Sequence, residues 1–166
     1  MHGNLDSPSS WVVRWTPWIA GAPVLDVACG SGRHAQWLAA RGLAVVGVDR
    51  EARNLPGIEF VQADLEDGSP WPFSGRQFGA IVVTNYLHRP LFETFAAALA
   101  PHGVLIYETF MQGNERYGRP SNPDHLLRPG ELFGAFERLR IIAFEQGVQR
   151  GSRIAVVQRL FALRDG

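Results

Sequence analysis

The chain has 166 residues, of which 46% are hydrophobic and 19% charged, and its mean hydropathy is close to zero. This length predicts one globular domain spanning residues 1–166 and is too short for a catalytic domain joined to a separate substrate domain. Sixteen basic residues balance sixteen acidic ones, which argues against a nucleic-acid partner because phosphate binding usually leaves a basic footprint.

The cellular compartment is predicted from three features. Residues 1–6 contain no basic segment followed by an apolar stretch, so no secretory signal is predicted. No apolar run approaches the ~20 residues of a spanning helix, so no membrane partner is expected. Cys29 is the single cysteine, which agrees with a reducing, cytoplasmic location. The pattern leaves the oligomeric state open.

The first 22 residues are predicted to form a helical cap on the domain. Four large side chains recur at roughly helical spacing there: Trp11, Val12, Trp15 and Trp18. This spacing predicts that an aromatic helix face packs on the sheet edge, and a substrate-facing lid is the alternative.

After this cap, short β-branched apolar runs alternate with segments of helical period. The alternation predicts parallel strands joined by crossover helices. Strands are predicted over residues 24–28, 44–49, 59–63, 80–85 and 104–108. Helices are predicted over residues 31–41 and 91–100, while residues 51–57 leave room for only a short helix.

The last third of the chain has a different pattern. Residues 111–127 are rich in Gly, Pro, Asn and charge without periodicity, and so long a loop in a compact domain tends to be functional or disordered. We expect it on the substrate side of the domain. A short helix should follow, with Phe133 and Phe136 facing the core. Residues 139–144 and 154–163 are separated by too few residues for a helical crossover, which predicts an antiparallel hairpin.

Residues 24–34 contain a strand, a glycine turn and a helix start in succession. Gly30 and Gly32 permit a sharp turn and let a ligand lie against bare backbone, as a nucleoside cofactor does. With Ala35 in the third position, the spacing also satisfies the relaxed dinucleotide pattern. An NAD(P)-binding oxidoreductase is therefore one alternative.

Three carboxylates at successive strand ends bear on the choice of cofactor. Asp26 precedes the first glycine by four residues, and Asp49 and Asp64 end the second and third predicted strands. A buried acid beside the turn requires a cation or donors, and a sulfonium amino acid supplies an ammonium where NAD does not. Acids at the next two strand ends suit ribose hydroxyls and an adenine amino group. The set favours S-adenosylmethionine (SAM).

Five segments in order resemble the motifs of the class I SAM-dependent methyltransferases: residues 24–34, 48–50, 62–65, 78–87 and 99–106. The resemblance implies an α/β fold with a Rossmann-like, seven-stranded, mostly parallel sheet, helices on both faces and a C-terminal antiparallel hairpin. Gly79 departs from the aspartate that many relatives carry near the start of the fourth motif, at a position that supports the sheet. More loosely, the short chain is similar to small methyltransferases of the tellurite-resistance and thiol type.

The resemblance implies a set of cofactor-binding residues. The methionine part of SAM is assigned to Asp26, Gly30 and Gly32, the ribose to Asp49, the adenine to Asp64 and Leu65, and the methyl-transfer face to Asn85 and Tyr86, while Ala28 and Arg50 complete the cofactor-binding set. Arg14 either binds the cofactor carboxylate or forms a surface salt bridge.

Other reactive side chains have structural interpretations. Cys29 has no nearby base in the sequence and is expected to be structural. His34 opens a helix and is expected to cap it or face solvent. No cluster has metal-ligand spacing, so no metal is expected.

The catalytic candidates are Tyr86, His88 and Glu108, which follow the fourth strand or end the fifth. His88 either touches substrate or is exposed at a helix start, and Glu108 either serves the acceptor or pairs with Arg116 or Arg119. The resulting hypothesis is in-line methyl transfer from SAM to a small-molecule acceptor. A soft anion needs no base, whereas a protonated oxygen or nitrogen does. A non-catalytic SAM-binding or interaction module is the second alternative.

Overall fold

Seven strands form one mixed sheet in the computed structural model, which describes residues 7–166. The strands are β1 Val24–Val27, β2 Val45–Asp49, β3 Glu59–Gln62, β4 Phe78–Thr84, β5 Leu99–Phe110, β6 Arg140–Gln149 and β7 Ala155–Leu163. Their order is β3-β2-β1-β4-β5-β7-β6. The first five are parallel, and β7 lies antiparallel between β5 and β6. The predicted mostly parallel sheet with a C-terminal hairpin is confirmed.

The α-helices are short and pack on both faces of the sheet. They are α1 Ser10–Trp15, α2 Arg33–Ala39, α3 Phe92–Ala98 and α4 Glu131–Ala135. Buried residues of α1 and α2 belong to the core on one face, and those of α3 and α4 to the core on the other. Between β2 and β3, residues 51–57 form bends and a turn instead of the expected short helix, in a segment where Pro56 cannot donate a helical hydrogen bond.

Two predictions concern residues 1–6, which lie outside the described residues: the absence of a secretory signal and the start of the helical cap. Within residues 7–166, none of the helices has both the length and the apolar character needed to cross a bilayer.

The aromatic residues of α1 anchor it to the sheet. The buried Trp11 indole donates from Nε1 to the Leu160 carbonyl at 3.1 Å, and Trp15 stacks on Phe161 with ring centroids 4.3 Å apart. The predicted packing of an aromatic helix face on the sheet is thus confirmed, but it covers strands inside the sheet and not its edge. Trp18 lies in the 3₁₀ turn after the α-helix and is 52% exposed, yet its ring packs edge-on against Trp15 and Phe161, with centroids 5.8 and 5.5 Å away, so it joins the packed face in part.

Phe133 and Phe136 were both predicted to face the core, but at the single-turn helix α4 they lie in different environments. Phe136 is buried, as predicted, beside Leu132 one turn earlier. Phe133 is 51% exposed and contacts the edge of Phe144, so the prediction for it is wrong. Its position next to Leu132 rotates it about 100° away from the core-facing direction.

Gly79 lies where β4 meets the segment leading into β1. A Cβ at Gly79 would lie 2.1 Å from the carbonyl carbon of Gly21, and the Gly79 amide donates to the Pro23 carbonyl at 3.0 Å. A larger residue at position 79 would push the segment before β1 off the sheet. Close backbone packing therefore explains why glycine stands here in place of the aspartate that many relatives carry.

Candidate active site

A cavity of about 420 Å³ opens at the edge of the sheet where the parallel strands end. Small-molecule sites in proteins typically measure roughly 300–1,000 Å³. Seven predicted site residues line the cavity together: Ala28, Asp49, Arg50, Asp64, Leu65, Asn85 and Tyr86. They come from four strand ends because parallel strands deliver their carboxyl ends to one edge.

The glycine turn after β1 bends through the left-handed region of backbone space. Ala28, Gly30 and Gly32 have φ values of 50°, 54° and 85°. A Cβ on Gly30 would meet no atom within 4 Å, so this face of the turn is open to a ligand. A Cβ on Gly32 would lie 2.7 Å from a methyl group of Leu55, so packing also requires glycine there. Ala28 carries a Cβ at a φ value that costs about 1 kcal/mol.

Asp49 ties the end of β2 to the glycine turn. Its Oδ2 accepts from the Gly30 amide at 2.8 Å and its Oδ1 from the Glu51 amide at 2.9 Å. Each carboxylate oxygen has two lone pairs, so each keeps one free for a ligand hydroxyl. Asp64 follows β3 in a similar way, with Oδ1 accepting from the Glu66 amide at 2.9 Å.

Asp26 is a buried carboxylate beneath the glycine turn. It is 1% exposed, and neither of its oxygens has a hydrogen-bond partner among residues 7–166. Burial raises its pKa to about 7, against the opposing effects of the Ala35 amide in α2 and the Arg33 guanidinium. A buried acid without a partner is costly unless a cation or donors reach it. An ammonium supplies both, so the residues present fit the amino-acid end of SAM as well as its adenosine.

Two nearby groups are held in their protonated forms. Burial raises the pKa of the Cys29 thiol to about 12, so it is a poor nucleophile at neutral pH, as its structural interpretation requires. Burial and the neighbouring Glu66 carboxylate raise the pKa of Tyr86 above its ordinary value. The Tyr86 phenol is therefore suited to donate a hydrogen bond and unsuited to accept a proton.

Glu108 does not line the cavity. It is 9% exposed, forms an ion pair with Arg159, and accepts a hydrogen bond from the Ser9 hydroxyl at 2.8 Å. The expected alternative pairing with Arg116 or Arg119 is wrong, because β7, and not the loop, lies beside β5 at this position. Both carboxylate oxygens are thus engaged away from the cavity.

His88 and Arg14 also lie outside the cavity lining. His88 Nδ1 is 3.2 Å from an oxygen of Glu66, at the start of the turn that precedes α3. Arg14 is 3.3 Å from Glu145 and lies over the ring of Trp15 at 4.9 Å from its centroid. The surface salt bridge is therefore the arrangement that the structure has for Arg14.

His34 is buried, and its expected role as a cap or a solvent-facing residue is wrong. It is 3% exposed because the segment before α1 folds over the start of α2. Its Nε2 accepts the Ser9 amide at 3.0 Å, and its Nδ1 lies 3.3 Å from the Thr84 hydroxyl. Burial and the charge of Arg33 lower its pKa to about 4, so the ring is neutral at pH 7.

The loop over residues 111–127 contributes Pro120 and His125 to the cavity wall. The sequence placed this loop on the substrate side without singling out either residue. His125 ends a short 3₁₀ turn, Pro123–His125, that begins where the Asn122 side chain accepts from the Asp124 amide at 3.0 Å. The Asn-Pro pair that starts a turn was the available signal.

Arg89 fixes the backbone on both sides of His125. It donates to the carbonyls of Asp124 at 3.4 Å and Leu126 at 3.0 Å. Two further bonds, of 2.6 and 3.0 Å, join it to the Glu131 carboxylate. Although burial opposes it, the Arg89 guanidinium holds the pKa of Glu131 below its usual value.

Two fully buried amide side chains tie the same loop to the sheet. Asn114 donates to the Pro120 carbonyl at 3.0 Å and accepts from the Val156 amide at 3.0 Å. Gln158 donates to Met111 Sδ at 3.3 Å, at the start of the loop, and accepts from the Leu132 amide of α4 at 2.7 Å. The loop is an ordered wall of the cavity although its sequence has no periodicity.

Comparisons with known proteins agree with this geometry. A family model described as a methyltransferase domain matches residues 24–103. The chain is 34% identical over 112 residues to a trans-aconitate 2-methyltransferase of Paracidovorax citrulli, covering 59% of this chain and 42% of that protein. It is 33% identical over 105 residues to a fatty-acid O-methyltransferase of Mycolicibacterium smegmatis, covering 54% and 37%. The chain thus spans about two fifths of the length of these relatives.

The fold has solved counterparts. The crystal structure of TehB from Haemophilus influenzae matches with a TM-score of 0.77 at 14% identity, over 95% of this chain and 63% of that one. The motifs, the matching domain and the sheet topology agree with one another. Residues 24–103 of the chain are therefore similar to a methyltransferase domain, on a fold that TehB shares.

Proposed function

We propose that this chain transfers a methyl group from SAM to a small-molecule acceptor bound in the cavity at the sheet edge. The observation that carries the proposal is the Asp26 carboxylate, buried without a partner among the described residues, beside a glycine turn open to a ligand. Asp49 and Asp64 line the adjoining cavity. An ammonium, a ribose and an adenine match these acceptors in that order.

When bound, SAM would supply a methyl group on a sulfonium sulfur: an acceptor nucleophile in line with the C–S bond would bond to the methyl carbon as the C–S bond breaks, and the neutral thioether would leave with the electron pair and without protonation. Asp26 would hold the ammonium, and the open face of Gly30 would admit the amino-acid chain. Asp49 would accept from the ribose hydroxyls through its free lone pairs, and Asp64 would accept from the adenine amino group. Leu65 would lie against the adenine ring, with Arg50 next to Asp49 in the same wall.

The acceptor lies on the other side of the cavity, where Asn85, Tyr86 and Phe110 face the loop residues Pro120 and His125. The imidazole of His125 takes the role first assigned to Glu108 and His88, either as a hydrogen-bond partner of the acceptor or as its base. Positioning by these walls provides most of the rate.

Small carboxylic acids are the first acceptors to test. Two relatives are named for trans-aconitate and for fatty acids, both of which carry carboxylate groups. A carboxylate is ionised at neutral pH, so its methylation needs no strong base. This agrees with a cavity in which Tyr86 is held protonated and Glu108 is turned away.

Calorimetry and product analysis test the proposal. We expect purified protein to bind SAM and its demethylated product S-adenosylhomocysteine (SAH), and not NAD. Mass spectrometry should detect a methylated product from a panel containing trans-aconitate, decanoate and a small thiol. Binding of NAD with hydride transfer from NADH would overturn the assignment in favour of an oxidoreductase. Binding of SAH without turnover of any acceptor would favour a non-catalytic module.

A further inference from the structure

The segment before α1 is tied to the start of α2 and to β5 by three hydrogen bonds. The Ser9 amide donates to His34 Nε2 at 3.0 Å. The Arg33 guanidinium donates to the Ser7 carbonyl at 3.1 Å. The Ser9 hydroxyl donates to Glu108 at 2.8 Å. Residues 7–9, named here the N-terminal strap, therefore cross the first turn of the helix that follows the glycine turn.

The strap is attached directly behind the cavity wall. Because His34 Nε2 accepts from Ser9, the ring proton lies on Nδ1, which donates to the Thr84 hydroxyl at 3.3 Å. Thr84 precedes Asn85, and Glu108 precedes Thr109, and Asn85 and Thr109 both line the cavity. Glu108, which accepts from Ser9, and Thr84, which contacts His34, are thus each one residue away from the cavity wall.

The attachment of α1 to the sheet does not depend on these bonds. Trp11 and Trp15 hold the helix through the Leu160 carbonyl and the stacked ring of Phe161. The buried, polar contacts of His34 with the strap fix only where the strap lies. Apolar packing would hold the strap against α2 equally well. The hydrogen bonds of His34 give the strap a fixed position, and that position affects which ligand the glycine turn can bind.

We propose that the N-terminal strap closes the amino-acid end of the cofactor site and that His34 is the positioning residue that holds it there. This inference rests on the proposed function. The adenosine end of the site lies at Asp49 and Asp64, whereas the strap is bonded to Arg33, which directly follows Gly32 of the glycine turn and whose charge acts on Asp26. A ligand with an amino-acid tail meets the strap, and a nucleoside without one does not.

The test compares two ligands in matched variants by calorimetry. SAH carries the amino-acid tail, and 5′-methylthioadenosine has the same adenosine and sulfur without it. His34→Leu removes the acceptor for Ser9, and we expect it to weaken SAH about fivefold to tenfold while 5′-methylthioadenosine changes less than about twofold. His34→Gln offers an amide oxygen to Ser9 and should restore most of the SAH affinity. Gln36→Leu, at an exposed position of the same helix, is the control.

Each other outcome is decisive. Unchanged SAH affinity in His34→Leu, or an equal loss for both ligands, overturns the role of the strap. A wild-type protein that binds neither ligand overturns the proposed function itself. Should His34→Leu fail to fold, Ser9→Ala releases the strap from Glu108, while also removing the hydroxyl that caps α1 at the Trp11 amide, and should show the same selective loss. Hydrogen exchange at the Ser9 amide should be faster in His34→Leu, and an unchanged rate would mean that the strap is held by other contacts.

Discussion

The cofactor side and the acceptor side of the cavity are built in different ways. On the cofactor side, Asp49 ends β2 and Asp64 lies two residues past the end of β3, so strand pairing and hydrogen bonds within the adjoining turns set their positions. On the acceptor side, His125 lies in a long loop and is placed by Arg89, far from it in sequence. The strand-end half of the site is therefore specified by motifs within short segments of the sequence. The half that contains His125 is specified by hydrogen bonds between residues far apart in sequence.

Removing a strand-end carboxylate tests the locally encoded half and should have the largest effect. Asp49→Ala removes the ribose acceptor and the bond to the Gly30 amide, so we expect SAH affinity to fall about 100-fold. Titration calorimetry measures this loss. Glu51→Ala, two residues along and exposed, is the control and should retain its affinity within about twofold. An Asp49→Ala affinity close to wild type would show the ribose assignment to be wrong.

Removing the hydrogen bonds that Arg89 donates to the loop tests the half of the site that contains His125. Arg89→Met leaves the Glu131 carboxylate and two loop carbonyls without their donor, and we expect a loss of about 2 kcal/mol in the free energy of unfolding. Hydrogen exchange in residues 122–127 should accelerate while SAH affinity stays unchanged. Arg128→Met removes an exposed guanidinium 3.7 Å from the same carboxylate and should cost little. A parallel loss of SAH affinity in Arg89→Met would mean that the two sides are not independent.

The fold was largely predictable because its signals are periodic and local. The apolar runs, the glycine turn and the closely spaced C-terminal runs together predicted the mixed sheet. Strands β1 and β4 are buried on both faces, which explains why their sequences are continuously apolar and do not alternate with polar residues. Errors arose where packing outweighs pattern. Phe133 fits a helical period in the sequence, but helix α4 ends after a single turn and leaves this side chain half exposed.

The sequence pattern grouped the strand-end residues that line the cavity, but it misplaced or missed other residues around it. The placement of Glu108 depends on which strand lies beside β5, and the arginine that reaches it, Arg159, comes from β7. Burial of His34 depends on a segment 25 residues earlier folding over it. His125 carries no motif of its own. Such pairings join residues distant in sequence, and a single sequence contains no local signal for them.

The pH dependence of ligand affinity sharpens the assignment of Asp26. Because burial raises its pKa to about 7, the carboxyl group is neutral in more acidic solution and cannot attract an ammonium there. SAH affinity should therefore rise with pH by up to about tenfold per unit and level off above about pH 7. The profile for 5′-methylthioadenosine, which has no ammonium, should be flat across the same range. Asp26→Asn should flatten the SAH profile, and a wild-type profile without slope would remove Asp26 from the site.

The smallest effect is expected at Ala28, which has a Cβ although its backbone angle favours glycine. Its φ of 50° strains a residue with a Cβ by about 1 kcal/mol, while glycine costs roughly half of that gain in the entropy of the unfolded chain. Ala28→Gly should therefore raise the free energy of unfolding by about 0.5 kcal/mol in urea denaturation. Ala40→Gly, the same change at an exposed residue with φ of −62°, should lower it by about 0.5–1 kcal/mol. If both variants are destabilised alike, the Cβ of Ala28 contributes packing that outweighs its strain, and the turn after β1 is better adapted to alanine than its backbone angle indicates.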